Sequence, residues 1–276
     1  MAAAVVTRPF LLVLAAMAAI TAGCRESVEA RFIYYPSRSL GADPTRVGLR
    51  YRDIGFSAED GVRLHGWLIR GRVPTTLLYS HGNAGNIEDR LAIARLLVDQ
   101  LGVGVFMYDY RGYGRSDGTP SEAGLASDAR GARAALLREG VAAEHVVYFG
   151  RSLGAAVTVD LAVAHPPRAV VLESPFTSVR AIANGILPGV GYLFRTRWDS
   201  LAKIARLRAP LLILHGDTDE VIPYAHGQAL FAAAPGPKTF FTIRGVRHYH
   251  MEAAWSDYWK AWRSFLHEAG LPVADV

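Results

Sequence analysis

Gly150-Arg151-Ser152-Leu153-Gly154 is the stretch on which the reading of this chain turns. Before it runs Glu144-His145-Val146-Val147-Tyr148-Phe149, whose apolar, β-branched character is that of a buried strand. After it runs Ala155-Ala156-Val157-Thr158-Val159-Asp160-Leu161-Ala162, rich in Ala and Leu, which predicts a buried helix. A serine with glycine two residues to either side, between a strand and a helix, is the pattern of a nucleophile elbow. The turn is so sharp that only small residues fit at its ends, and its strain lifts the Ser152 hydroxyl above the strand ends. The same five residues could also be a glycine-rich strand–helix turn with a chance serine, so the surrounding chain has to decide.

Outward from the elbow, strand and helix patterns alternate. A β-hairpin is predicted from Leu49–Phe56 and Val62–Arg70, with its turn at Asp60-Gly61. Strands follow at Thr76–Ser80, Val103–Tyr108, Ala169–Leu172, Leu211–Leu214 and Thr239–Ile243. Helices are expected over Ile87 to about Gln100, Leu125–Arg138 (capped by Ser121 or Ser127) and Met251 to about Glu268. A hairpin followed by strand–helix alternation is an α/β pattern: a mostly parallel central sheet with helices on both faces. About 35 residues between Glu173 and Leu211 leave room for a small cap at roughly 175–208, with two or three short helices.

Composition narrows the function classes. With 276 residues, 51% of them hydrophobic, the chain suits one large α/β domain, and nothing marks a linker. The net charge of +5 comes from scattered arginines without a block of like charge, which argues against nucleic-acid binding. The single Cys24 excludes intrachain disulfides and cysteine-based metal sites. Residues 1–24 stand apart: the apolar run from Pro9 to Gly23 is short for a membrane-spanning helix and right for a signal-peptide core. Thr21-Ala22-Gly23-Cys24 resembles a bacterial lipobox, with Thr21 in place of the usual leucine. The expectation is a lipoprotein signal, with an uncleaved anchor or another cleaved signal as alternatives, and membrane association through the N-terminus. Residues 25–276 form the folded domain, where Phe32-Ile33-Tyr34-Tyr35-Pro36 is expected to pack on the surface.

In an open parallel sheet ligands bind at the carboxyl ends of the strands, and reactive residues gather there. After Thr76–Ser80 comes His81-Gly82-Asn83-Ala84-Gly85-Asn86, a loop able to turn backbone N–H groups towards a developing oxyanion. Asn83 and Leu153 are the candidate oxyanion-hole donors, Leu153 being the residue after the serine. After Leu211–Leu214 comes His215-Gly216-Asp217-Thr218-Asp219-Glu220, with two candidate acids, and Glu173 at an earlier strand end is a third. After the last strand comes Gly245-Val246-Arg247-His248-Tyr249-His250, with two candidate bases. Ser152 needs such a base to act as a nucleophile at neutral pH, and the base needs an acid to fix its tautomer. His81 and His215 read as structural, and His165 and His226 as surface residues. The Asp109–Gly114 loop reads as a support for the oxyanion loop. Gly112, Gly114 and Gly118 do not match a dinucleotide fingerprint, and His248 and His250 lack a third metal ligand.

Over roughly residues 45–268 the chain resembles the α/β-hydrolase superfamily. It is most similar to a subgroup of membrane-attached serine hydrolases that includes protein depalmitoylases. The resemblance is carried by the loops beginning at His81, Asp109-Tyr110-Arg111-Gly112-Tyr113-Gly114, Gly150–Gly154, Glu173-Ser174-Pro175-Phe176-Thr177-Ser178, the run His215–Pro223, and His226-Gly227. It implies an α/β-hydrolase fold with a small cap, and a catalytic triad of Ser152, Asp219 and His248. Relatives often place Asn-Asp after that histidine, where this chain has Tyr249-His250, which keeps His250 as the second candidate. The activity implied is cleavage of carboxylic esters or thioesters through an acyl-enzyme, on a small-molecule or lipid-like acyl substrate. No cofactor and no metal are called for. A serine peptidase or amidase on the same fold, and a catalytically silent binding lipoprotein, are the alternatives; acyl length, leaving group and oligomeric state are left open.

Overall fold

The computed structural model describes residues 29–248 and 255–274. The signal or anchor expected at 1–24, with Cys24, therefore lies outside the described residues, as do Tyr249, His250 and the expected start of the last helix at Met251.

Eight strands form one sheet: β1 (Tyr51–Ser57), β2 (Arg63–Ile69), β3 (Thr76–Ser80), β4 (Gly104–Asp109), β5 (Val146–Arg151), β6 (Ala169–Glu173), β7 (Leu211–Gly216) and β8 (Lys238–Ile243). Their order across the sheet is β1-β2-β4-β3-β5-β6-β7-β8. β1–β2 and β2–β4 are antiparallel, and every pairing from β4 to β8 is parallel. The helices are α1 (Leu91–Leu101), α2 (Glu122–Arg138), α3 (Leu153–Ala164), α4 (Val179–Ile186), α5 (Ser200–Ile204), α6 (Tyr224–Ala233) and α7 (Trp255–Glu268).

The two faces of the sheet carry separate apolar cores because strand side chains alternate. Leu78, Phe106, Tyr108 and Tyr148 point to one face, under Leu125 and Leu136 of α2 and Val157 and Leu161 of α3. Leu77, Tyr79, Val105, Met107 and Phe149 point to the other, under Leu91, Leu97 and Leu101 of α1 and Trp262 and Leu266 of α7. β3 is buried along its whole length between β4 and β5, which accounts for its unbroken apolar run.

Several elements differ from the sequence reading. α2 begins three residues earlier than expected, because the Ser121 side chain accepts from Gly124 N at 3.1 Å and caps it there; Ser127 lies buried within the helix. The helix expected from Ile87 opens as a 3₁₀ turn, Ile87–Arg90, capped by Asn86. α6 was not foreseen.

The sheet's strand order reverses at β3, since the chain leaves β3 for β4 on one side and β5 leads to β6 on the other. The crevice beyond the carboxyl ends of β3 and β5 is thus the topological switch point, where this class of sheet binds its ligands. Ser80 at the end of β3 is in register with Gly150 at the elbow, and Arg151 with Glu173. Between β6 and β7, α4, a 3₁₀ turn (Val190–Leu193) and α5 make up the segment above the sheet.

Candidate active site

Ser152 sits between β5 and α3 at φ 54°, ψ −117°, in the left-handed half of the map that a residue with a Cβ avoids. Such a conformation costs about 1–3 kcal/mol and persists only where the surroundings impose it. Here they do. A Cβ on Gly154 would lie 1.9 Å from the Ser80 carbonyl oxygen, and one on Gly150 would lie 2.3 Å from the Gly154 carbonyl oxygen. The two glycines let β5, the turn and α3 close up, and Ser152 N donates to Glu173 O at 2.9 Å to hold the turn against β6. Leu153 opens α3, so its N–H is among the first-turn amides that helix geometry leaves without an intrahelical acceptor.

The His81–Asn86 loop crosses directly over this turn: a Cβ on Gly82 would lie 3.7 Å from Ser152 Cβ. The loop is held from beneath. Tyr110 donates to His81 O at 2.8 Å, Tyr113 donates to Asn83 Oδ1 at 3.1 Å, and Ile87 N donates to Asp109 Oδ1 at 2.9 Å. The Asp109–Gly114 loop thus supports the His81–Asn86 loop through Asp109 and two tyrosines; Arg111 turns away, to pair with Asp60 and Asp128. His81 is wholly buried, with Nδ1 2.7 Å from Gly82 O. Burial, aided by the charge of Arg90, pushes its pKa down to about 3.

That shift has a measurable consequence. The unfolded chain takes up this proton below about pH 6.5, while the folded one refuses it until about pH 3, so stability falls as pH drops through that window. The slope from this one group is at most about 1.4 kcal/mol per pH unit. His81→Gln should flatten that part of the pH–stability curve, read as urea midpoints. An unchanged slope would show that His81 is not buried neutral.

The loops after β7 and β8 meet through Asp219 and His248. His248 Nδ1 lies 2.8 Å from Asp219 Oδ2, and both residues are buried. Asp219 Oδ2 also accepts from Ser174 Oγ at 2.8 Å, and Oδ1 accepts from the backbone N–H groups of Val221 and Ile222 at 3.0 and 2.8 Å. Burial alone would raise this carboxyl's pKa, but the bonds from His215 and His248 and the Ile222 amide outweigh it and hold Asp219 far below the usual carboxylate range. An ionised Asp219 can only accept, so the proton of the neutral imidazole stays on Nδ1 and Nε2 keeps its lone pair.

The other candidates have different partners. Asp217 Oδ1 accepts from Gly245 N at 2.6 Å and braces the turn that leads to His248. Glu173 lies behind the elbow, 3.1 Å from Arg151 Nε and accepting from Tyr258 at 2.6 Å. Arg151 also donates to His248 O at 2.7 Å, which ties the His248 loop to the residue before Ser152. His215 is buried, with Nε2 2.9 Å from Ile222 O. Its ring packs against Gly227, where a Cβ would come within 2.4 Å of Nδ1. His226, expected at the surface, is half-buried with Nδ1 2.8 Å from Thr177 Oγ1. It lies in α6, which gathers around His215.

Ser174, Arg151, Tyr258, Tyr110 and Tyr113 are the members of this arrangement that sequence reasoning left without a role. Ser174 carries a signal only in three dimensions: it too is at positive φ, 45°, just beyond β6. Among the described residues no group of His, Cys, Asp and Glu could hold a metal ion, and no helix is long and apolar enough to cross a membrane.

Comparison with known proteins agrees with this fold. A family model described as serine aminopeptidase, S33, matches residues 72–202. An uncharacterized protein of Mycobacterium tuberculosis is 39% identical over 228 residues, covering 80% of this chain and 81% of its own. The α/β-hydrolase domain-containing protein WAV2 of Arabidopsis thaliana is 36% identical over 270 residues, covering 86% of this chain and 87% of its own. A Pyrococcus furiosus esterase structure superposes with a TM-score of 0.72 at 18% identity, over 86% of this chain and 98% of that one, a likeness of fold. The strand order, the elbow at the switch point and these relatives together make the chain a member of the α/β-hydrolase superfamily.

Proposed function

We propose that the chain is a serine hydrolase of carboxylic esters or thioesters, with Ser152 as nucleophile, His248 as base and Asp219 as its orienting acid. The observation that carries this reading is the 2.8 Å contact between buried Asp219 and His248 Nδ1, in a loop tied to the elbow by Arg151. His248 Nε2 takes the Ser152 proton as Oγ attacks the acyl carbonyl carbon. The N–H groups of Asn83 and Leu153 receive the oxyanion, and each such donor is typically worth about 10²–10³ in rate. As the tetrahedral intermediate collapses, the alcohol or thiol leaves with the proton from His248. Water, deprotonated by the same imidazole, then releases the acid and restores Ser152.

The same steps cleave an amide, and the match to a family model named for serine aminopeptidases favours keeping that second reading. The model's matched residues stop at 202, before Asp219 and His248. Similarity to the membrane-attached subgroup supports thioesters beside esters. A panel of acyl esters, acyl thioesters and aminoacyl amides at equal concentration separates the readings. Turnover of the first two with little of the third is expected; preferential release of N-terminal amino acids would replace the esterase reading with the peptidase one.

The N-terminal apolar run and Cys24 support a companion proposal, that the chain is tethered to a membrane as a lipoprotein. Metabolic labelling with a clickable fatty acid should mark the wild type and not Cys24→Ala. Equal labelling of both would end it.

A further inference from the structure

We infer that residues 29–37 form a strap that positions the oxyanion loop and the cap together, with Glu29, Tyr34 and the side chain of Asn83 as positioning residues. The inference rests on the hydrolase reading only for its catalytic consequence; the contacts stand by themselves.

On the loop side the strap and residues 83–86 are laced together. The Asn83 amide nitrogen donates to Ile33 O, and its oxygen accepts from Tyr35 N at 3.2 Å as well as from Tyr113. Gly85 N donates to Tyr35 O at 3.1 Å, and Ser37 N donates back to Gly85 O at 3.0 Å. Pro36 and Gly85 pair as a short parallel bridge. Asn83, whose backbone N–H is the proposed oxyanion donor, therefore has both its side-chain oxygen and its nitrogen engaged, two of its three bonds running to the strap.

On the cap side the same short segment sends two buried side chains into residues 195–198. Glu29, 1% exposed, accepts from Arg195 N at 2.8 Å, Thr196 N at 3.1 Å and Thr196 Oγ1 at 3.2 Å. A carboxylate is left this dry only where donors are arranged around it. Tyr34, 3% exposed, accepts from Trp198 Nε1 at 3.0 Å. Trp198 itself is held at φ 40°, an unfavourable angle that its neighbours must enforce. Phe32 and Tyr35 face outward, while Tyr34, Ala30 and Ile33 pack against the apolar core beneath the strap.

The placement matters because an oxyanion donor works only when it is fixed at about 2.7–3.1 Å from where the charge develops. A segment bonded on one side to the donor's residue and on the other to the cap sets the gap between them.

The test uses the full chain with Tyr35→Pro, which removes the N–H given to Asn83 at a residue whose side chain is exposed, and with Glu29→Ala. Rates are measured on p-nitrophenyl butyrate and on its thionoester, whose larger, weaker acceptor sulfur profits little from the hole. Tyr35→Pro should lower kcat on the ester about tenfold, part of the cost of losing a donor, and shrink the ester-to-thionoester preference by a similar factor. Glu29→Ala should raise KM several-fold with a smaller change in kcat, and Phe32→Ser should change neither. Amide exchange in the Ser152→Ala background supplies a readout without turnover: Gly85 should exchange faster in Tyr35→Pro, and Arg195 in Glu29→Ala. Tyr34→Phe, which orphans Trp198 Nε1 without altering the backbone, stands in if Tyr35→Pro does not fold. Variants that melt earlier but keep kcat and the ester-to-thionoester ratio would reduce the strap to a structural element and overturn the inference, as would unchanged exchange at both amides. A wild type without turnover, but with faster exchange in the variants, would sink the hydrolase reading and leave the strap in place.

Discussion

Replacing Ser152 by alanine will lower turnover of an activated acyl ester by about 10⁴-fold or more, leaving only what binding and the oxyanion donors supply. Ser152 is the residue at the strained turn between β5 and α3, at the switch point of the sheet. Ser174, also at positive φ, spends its hydroxyl on Asp219, which removes it as a substitute. Alanine inherits the strained φ of 54° and loses only an oxygen, so the melting temperature should move little. Initial rates, with a thermal melt as the folding control, decide the matter. Residual activity above a few per cent in a folded variant would move the nucleophile elsewhere.

Asp219→Asn should cost about 10⁴-fold in kcat, the usual scale when the group that sets an imidazole's tautomer is neutralised. The carboxylate takes one hydroxyl, the His248 imidazole and two backbone N–H groups on its two oxygens, with His215 Nε2 also 3.5 Å from Oδ2. An asparagine offers one acceptor oxygen and one donor nitrogen, so it can satisfy either the backbone pair or the Ser174 and His248 side. If the oxygen stays with Val221 and Ile222, the amide N–H faces His248 Nδ1, which must then accept, and Nε2 becomes a donor with no lone pair for the serine. Stability should follow the same carboxylate. Its folded pKa is depressed, so its contribution is present above the unfolded value near 3.9 and is lost as pH falls below it towards the folded value. The gap in melting temperature between wild type and Asp219→Asn should therefore widen from about pH 2 to about pH 5 and then stay level. Melts across that range with a constant gap would show that Asp219 gains nothing from its partners.

The parts of this fold that were legible from the sequence are those in which one physical signal dominates. β3, the β1–β2 hairpin, the elbow and the last strand are apolar or alternating runs bounded by turn residues, and each lies where the pattern put it, within a few residues. α6 was missed because Tyr224-Ala225-His226-Gly227-Gln228-Ala229-Leu230 has no clean apolar stripe and carries a glycine in its first turn. That glycine is set by contact with His215, from a different part of the chain. The same limit applied to His226, read as a surface residue because nothing nearby in sequence reveals Thr177 as its partner. Loop chemistry was legible at the level of residue type but not of pairing. Asp217, Asp219 and Glu173 are three acids at strand ends that residue type alone leaves equivalent. The family resemblance already implies Asp219 as the partner of His248, whereas only the fold assigns Asp217 to Gly245 and Glu173 to Arg151 and Tyr258. It also places Asp219 Oδ2 2.8 Å from His248 Nδ1. Tyr110 and Tyr113 read as members of a matching motif, yet their work, holding His81 and Asn83, depends on β4 lying beside β3.

The most direct measurement is reaction of the purified protein with a fluorophosphonate, followed by intact mass and peptide mapping. A single adduct on the Ser152 hydroxyl is expected, formed quickly in the wild type and slower by orders of magnitude in His248→Ala. A folded wild type that stays unmodified, or an adduct that maps to another residue, would contradict the assignment of Ser152 as an activated nucleophile.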